Sequence, residues 1–263
     1  MEKIDHNFKK KFGQNFLTDV NLLESIVKDA QIQEEDNVVE IGAGAGALTL
    51  ALSKKAKKVL SFEIDKDLEK VLSQKLENTQ NVKVVFDDFM NVDEEFIYEN
   101  VGKNFKVVAN LPYYITTAII SKLFEMQFSP QTIVVMVQKE VGERITSGEK
   151  SPEYSYFSAY VNAHANAKIV RNVNRKMFVP VPNVDSCIVR LDKKENSYEK
   201  AFFDFLKASF SMKRKTLVNN ICACFSFSKQ VAQQKIQEAG FEKSVRADSL
   251  SCDQLYQIYE SFF

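Results

Sequence analysis

Between residues 37 and 138, short apolar runs of strand length alternate with segments whose apolar residues recur at helical spacing. That alternation points to a parallel sheet with helices on both faces, because each strand must return through a crossover before the next can run in the same direction. Strands are expected at 37–41, 58–63, 82–86, 106–109 and 131–138, and helices at 47–54, 67–76 and 116–126. A sheet of this kind gathers ligands at the carboxyl ends of its strands. Chemistry is therefore to be sought in the residues that follow those ends.

The pattern changes on either side of this block. Residues 1–17 carry Lys9, Lys10 and Lys11 ahead of Phe12-Gly13-Gln14-Asn15-Phe16-Leu17, a basic arm with aromatics and no clear period. Thr18 and Asp19 can cap a helix whose apolar positions are Leu22, Leu23, Ile26 and Val27. Segments 167–173 and 184–191 read as extended material around the proline-punctuated stretch 177–182, so the sheet is expected to finish antiparallel. A polar break at 192–196 precedes helical patterns at 198–210, 229–239 and 251–262. This places a domain boundary at 193/194, with residues 1–193 forming the sheet domain and 194–263 a small all-helical domain.

With 263 residues, 45% of them hydrophobic, the chain can bury the core of one large domain and a small appendage. The apolar runs are strand-sized and the first residues are charged, so no membrane span or secretion signal is expected and the chain should be cytoplasmic. Cys187, Cys222, Cys224 and Cys252 lack the spacing of a metal site, and they are expected to be reduced and structural, with no metal bound. The formal net charge is zero, so contact with a nucleic acid would have to rest on local basic patches.

After the first strand of the block, Gly42-Ala43-Gly44-Ala45-Gly46 sets glycines at alternate positions. Such a turn lets the backbone approach a ligand closely and leads into a helix. Alone it also suits a dinucleotide site or a tight turn with no ligand, although the dinucleotide spacing is G-x-G-x-x-G. Glu63 closes the second strand, where a carboxylate can accept hydrogen bonds from both ribose hydroxyls of an adenosyl group. One strand later, Asp88 can accept from an adenine amino group, with Asp87 read as a solvated turn residue. The combination favours S-adenosylmethionine over NAD.

Asn110-Leu111-Pro112-Tyr113 follows the strand 106–109 at the same sheet edge. An adenine amino nitrogen is a poor nucleophile because its lone pair is delocalised into the ring. Hydrogen bonds from both its protons to fixed carbonyl oxygens favour a more tetrahedral nitrogen. Asn110 can offer its side-chain carbonyl and Leu111 its backbone carbonyl, Pro112 fixes the backbone and removes a competing donor, and Tyr113 can stack on an extruded base. With His6 and His164 as the only histidines, the chain advertises no general base, and methyl transfer would depend on positioning.

The segments 12–17 (FGQNFL), 39–49 (VEIGAGAGALT), 62–65 (FEID), 110–113 (NLPY), 137–145 (VQKEVGERI), 178–186 (FVPVPNVDS) and 210–219 (FSMKRKTLVN) follow one another in order. On these the chain resembles the KsgA-type ribosomal RNA adenine dimethyltransferases over nearly its whole length. The resemblance implies a Rossmann-like class I S-adenosylmethionine methyltransferase sheet with a helical C-terminal domain. It implies a cofactor site of Asn15, Leu17, Gly42, Gly44, Glu63, Asp88 and Asn110, with Tyr113 and Phe178 holding the target base between aromatic faces. It also implies the target, two adjacent adenines near the 3′ end of 16S ribosomal RNA in the small subunit; a monomer is the default expectation, because that RNA supplies the partner surface.

Two departures stand out. Lys213-Arg214-Lys215 replaces the usual paired arginines, which keeps the charge but loses part of the fork geometry, and Gly142 stands where alanine is common. With a neutral chain, RNA contact is expected to concentrate on Lys9, Lys10, Lys11, Arg171, Arg175, Lys176, Lys213, Arg214 and Lys215. The alternatives are an Erm-type methyltransferase of 23S ribosomal RNA and a non-catalytic ribosome assembly factor. Leu111, Ala45 and the Lys-Arg-Lys-Thr-Leu run argue against the first, and the intact 110–113 set against the second.

Overall fold

The computed structural model of the chain describes residues 16–17, 19–112, 114–195 and 198–263. Lys9, Lys10, Lys11, Asn15 and Tyr113 lie outside the described residues. The chain divides into two compact units, one of residues 1–142 with 168–192 and one of 143–167 with 193–263.

In the first unit, β1 (Phe16–Leu17) leads to α1 (Val20–Asp29), β2 (Asn37–Ile41), α2 (Ala47–Ser53), β3 (Lys58–Glu63), α3 (Glu69–Lys75) and β4 (Val82–Phe86). There follow α4 (Glu94–Val101), β5 (Lys106–Asn110), α5 (Thr116–Glu125), β6 (Thr132–Gln138) and α6 (Lys139–Thr146), which runs across the division. After α7 (Tyr156–His164), the chain returns through β7 (Ala165–Val173), β8 (Phe178–Val179) and β9 (Ser186–Lys193). Among the described residues these strands form a seven-stranded sheet of order β4-β3-β2-β5-β6-β9-β7 and a two-stranded pair of β1 with β8.

The pairs β4-β3, β3-β2, β2-β5 and β5-β6 are parallel, and β9 runs antiparallel to β6. The sheet therefore ends as the proline-punctuated stretch suggested. Strands β2, β3, β5 and β6 are buried almost continuously, as both-sided helix cover requires. On one face, Leu22, Leu23, Ile26 and Val27 of α1 and Leu48 and Leu52 of α2 share a core with Val38, Val59, Val108 and Val134. On the other, Phe62 of β3 makes an edge contact with Phe96 of α4, ring centroids 6.5 Å apart. The Asp19 carboxylate accepts from Leu22 N at 2.9 Å and starts α1.

Strand order reverses beside β2, since the chain moves from β2 out to β3 and β4 and then crosses back to β5 on the other side. At such a switch point the loops leaving neighbouring strands part and open a crevice. Gly42 leaves β2 and Asn110 ends β5, so the two motifs that sequence singled out flank that crevice.

Gly142 has a packing reason. A Cβ there would lie 2.1 Å from Cys187 Sγ of β9 and 3.2 Å from Val189 Cγ2, so the thiol occupies the volume an alanine would need. Cys187 is itself fully buried.

The second unit holds α7, α8 (Lys200–Ser209), α9 (Leu217–Cys224), α10 (Lys229–Glu238) and α11 (Cys252–Phe262). Phe202 and Phe205 of α8 lie edge-on to Tyr259 of α11, centroids 5.6 Å away in each case. The division falls at 192/193, one residue from the expected boundary, and residues 143–167 group with the helical unit rather than with the sheet. Tyr160 and His164 of α7 meet Phe203 of α8 at 5.5 and 4.8 Å. Phe157, Ser158, Ala159, Tyr160, Val161 and Ala163 of α7 are all buried, so no one-sided apolar stripe announces this helix in the sequence.

Candidate active site

One crevice at the carboxyl edge of the sheet is lined by Leu17, Gly42, Gly44, Glu63, Asp88, Asn110, Leu111 and Pro112, all from the first unit. Its walls come mainly from the ends of β2, β3, β4 and β5 and the loops that leave them. Most of the expected cofactor residues and the first three positions of the tetrapeptide thus meet in one place.

The glycine turn is shaped by its neighbours. Gly42 has φ +86°, and a Cβ on it would sit 3.4 Å from the backbone oxygen of Asn110, so the turn and the tetrapeptide are in close approach. Gly42 N and Ala43 N both donate to Phe62 O, at 2.9 and 3.0 Å. Gly44 N donates to Glu63 Oε2 at 2.7 Å, and Asp65 N donates to Glu63 Oε1 at 2.9 Å. Glu63 is therefore both a pocket carboxylate and the anchor of the turn. Burial pushes its carboxyl above the usual range, and the amide bonds from Asp65 and Gly44 act the other way.

Asp88 ends the loop after β4, and its Oδ1 accepts from Met90 N at 2.9 Å, starting the 3-10 turn Phe89–Asn91. Leu111 N donates to Met136 O of β6 at 3.3 Å, and Pro112 O accepts from Ile115 N at 3.2 Å. These bonds fix the backbone on both sides of Leu111. Ile41, Phe62, Ile64, Phe89, Tyr114 and Ile115 also line the crevice, and the sequence offered no reason to choose them. Tyr114 is 67% exposed, an aromatic whose cost in water suggests a role at the rim.

Phe178 departs from expectation. It does not line the crevice and is only 1% exposed, inside the core shared with α1 and α2, where it pairs across β1-β8 with Leu17. Strand alternation explains this, since Phe178 turns inward and the next residue, Val179, is 45% exposed. It is Leu17, not Phe178, that reaches the pocket wall.

Glu40 is the acid of β2, within the 39–49 motif, and it does not line the crevice. It is fully buried in β2, where its Oε2 accepts from Thr49 Oγ1 at 2.6 Å and Ser61 Oγ at 2.5 Å, while Oε1 has no partner among the described residues. Burial raises its pKa from 4.5 to about 7; the Ser61 and Thr49 hydroxyls oppose that rise, and the charge of Glu63 adds to it. A folded pKa above the unfolded one means stability that is complete below about pH 4.5 and lost as pH rises through 7. The difference amounts to about 3 kcal/mol at full ionisation. Glu40→Gln, which cannot ionise, should therefore lose less stability than the wild type between pH 5 and 8 in urea unfolding. Equal losses would show that Glu40 does not titrate in that window.

The basic candidates differ in their commitments. Arg171 makes a two-pronged ion pair with Asp29, Nε and Nη2 at 2.9 and 3.1 Å from its oxygens, so its guanidinium is largely spent on α1. Arg175 and Lys176 are exposed, although Arg175 Nη1 donates to Asn183 O at 2.9 Å. In the second unit, Lys213, Arg214 and Lys215 are exposed on the turn before α9. Buried Asn220 shapes that turn, donating to Ser209 O at 2.6 Å and accepting from Met212 N at 3.1 Å. Among the described residues no helix is long and apolar enough to cross a membrane.

Comparison with known proteins agrees with this geometry. Residues 5–263 match the family profile described as ribosomal RNA adenine dimethylase. The chain is 42% identical over 264 residues to the ribosomal RNA small subunit methyltransferase A of Streptococcus thermophilus (strain CNRZ 1066), covering 95% of this chain and 90% of that one. A dimethyladenosine transferase from Plasmodium falciparum has a similar structure, with TM-score 0.81 and 27% identity over 94% of this chain and 97% of that one. The 23S rRNA methyltransferase ErmE follows with TM-score 0.74 and 26% identity, over 94% and 99%. With a full-length profile match, a 42% identical relative and a glycine turn that abuts Asn110, the chain belongs to the ribosomal RNA adenine dimethylase family.

Proposed function

We propose that this chain transfers methyl groups from S-adenosylmethionine to the N6 amines of two adjacent adenines near the 3′ end of 16S ribosomal RNA during ribosome biogenesis. The observation that carries this reading is the meeting of Glu63, Asp88 and Asn110 in one crevice, with the glycine turn against the Asn110 carbonyl. The residues present suit the cofactor. Glu63 offers carboxylate oxygens for ribose hydroxyls, Asp88 Oδ2 accepts no hydrogen bond from the described residues, and Phe62, Ile64 and Phe89 supply apolar surface. When bound, S-adenosylmethionine supplies an electrophilic methyl group on a sulfonium.

The chain's own part is positioning. The Asn110 side-chain carbonyl and the Leu111 backbone carbonyl accept the two amine protons and favour a more tetrahedral nitrogen, whose lone pair is then localised for attack on the methyl carbon. The methylated amine releases one proton to solvent, with S-adenosylhomocysteine as the leaving group. Leu111 is held for this by its bond to β6, and Pro112 removes a donor that would compete. Tyr113 is assigned to stack on the base, a contact worth roughly 1 to 3 kcal/mol, and Asn15 to the cofactor. Rigid carbonyls serve better than flexible ones because no reorganisation is left for the transition state.

Binding to the small subunit rests on Lys9, Lys10, Lys11, Arg175 and Lys176, and on Lys213, Arg214 and Lys215, with Arg171 reduced to a minor part by its pairing to Asp29. These are phosphate contacts, which position without reading sequence. The enzyme works as a cytoplasmic monomer, the ribosomal RNA supplying the second surface. The test is incubation with labelled S-adenosylmethionine and small subunits lacking this modification, followed by mapping of labelled bases. Label on adjacent adenines near the 16S 3′ end is expected. No label there, with label appearing in a parallel reaction on large-subunit RNA, would overturn the reading in favour of an Erm-type activity.

A further inference from the structure

Lys122 lies on α5, away from every motif the sequence displayed. Its ammonium donates to three backbone carbonyls, Phe89 O and Met90 O at 2.9 Å and Val92 O at 2.7 Å. All three close the 3-10 turn Phe89–Asn91. The same nitrogen stands 5.2 Å from the Phe89 ring centroid. An ammonium has three donors and no acceptor, so this site uses it completely, and no other side chain of that size could replace it without leaving a carbonyl short.

The turn is thus held at both ends by charge. Asp88 Oδ1 takes the Met90 amide at its start, and Lys122 gathers the carbonyls at its finish. What this arrangement fixes is the direction of Asp88 Oδ2, because Oδ1 is tied to the turn and the turn is tied to α5. The staple also joins two walls of the crevice, since Asp88 and Phe89 line one side and Ile115 and Ile119, the latter on α5, line another.

We propose that Lys122 is a positioning residue that sets specificity for the adenine of the cofactor, by aiming Asp88 at the exocyclic amino group. This rests on the assignment of Asp88 to that group under Proposed function. A hydrogen bond from an amino group to a well-aimed carboxylate is lost, and replaced by repulsion, when the base carries a carbonyl at that position. S-inosylhomocysteine presents such a carbonyl and S-adenosylhomocysteine an amine. The two differ otherwise only at ring N1, which carries a proton in the inosyl compound and is an acceptor in the adenosyl one.

The test is calorimetric titration of the full chain with both compounds. Wild type should prefer the adenosyl compound by about 10- to 100-fold, the range expected for a hydrogen bond to a charged group. In Lys122→Met the preference should fall to within about threefold, chiefly through weaker binding of the adenosyl compound. Lys122→Arg, which keeps the charge and several donors, should recover part of it. Should Lys122→Met fail to fold, Lys122→Gln carries the same comparison, because its amide can serve at most two of the carbonyls. A full wild-type preference in a variant that is merely less heat-stable would overturn the proposal and leave Asp88 untouched. A wild type that does not discriminate would overturn the Asp88 assignment as well.

Discussion

Asn110→Ala should lower the rate of methyl transfer by about 100- to 1000-fold while the chain stays folded, the scale seen when one fixed polar group is removed from a reacting centre. The side chain stands at the end of β5, where the backbone is paired to β6 through Asn110 and Met136, so truncation beyond Cβ leaves the strand register intact. What is lost is one of two carbonyls that the amine protons require. Leu111 alone can align one proton but leaves the nitrogen free to stay planar. Single-turnover measurement on unmodified small subunits, with far-ultraviolet circular dichroism as the check on folding, reads the effect directly. Turnover equal to wild type would remove Asn110 from the amine contact.

Glu63→Ala should weaken binding of S-adenosylhomocysteine by about 100-fold or more, for two separate reasons. The ribose loses its acceptor. In addition, Gly44 N and Asp65 N lose theirs, so the glycine turn loses the tie that sets its path past Asn110. Glu63→Gln separates the two, since its amide oxygen can still take one backbone bond while the charge is gone. Calorimetry should rank wild type above Glu63→Gln and Glu63→Gln above Glu63→Ala. If the alanine variant bound as tightly as wild type, the carboxylate would be no part of the cofactor site.

The elements that sequence displays well are those whose burial leaves a period or a bounded run. Strands β2, β3, β5 and β6 appear as apolar runs because both faces are covered, and α1 and α5 as stripes because only one is. Helix α4 is short and carries Glu94, Glu95 and Glu99 among its apolar residues, and α7 is buried nearly all round, so neither stands out. The same division runs through the site. Gly42, Glu63, Asp88 and Asn110 sit at strand ends or just after them, where position alone proposes a use. Glu40, Lys122 and Asn220 owe their importance to partners that lie well away from them in sequence, such as Ser61, Phe89 and Ser209. Phe178 shows the converse, a residue marked by its motif whose ring the two-stranded pairing turns into the core.

The fit of Cys187 against Gly142 has a consequence for how changes at the two positions combine. Glycine at 142 tolerates any small residue at 187, but alanine at 142 tolerates only one lacking the sulfur. In this chain Gly142→Ala should therefore be tolerated better together with Cys187→Ala than alone. Alone it overfills the core, a step costing about 1 to 3 kcal/mol. Positions 142 and 187 are thus coupled through one shared volume in the core, so the effect of changing either depends on the residue at the other.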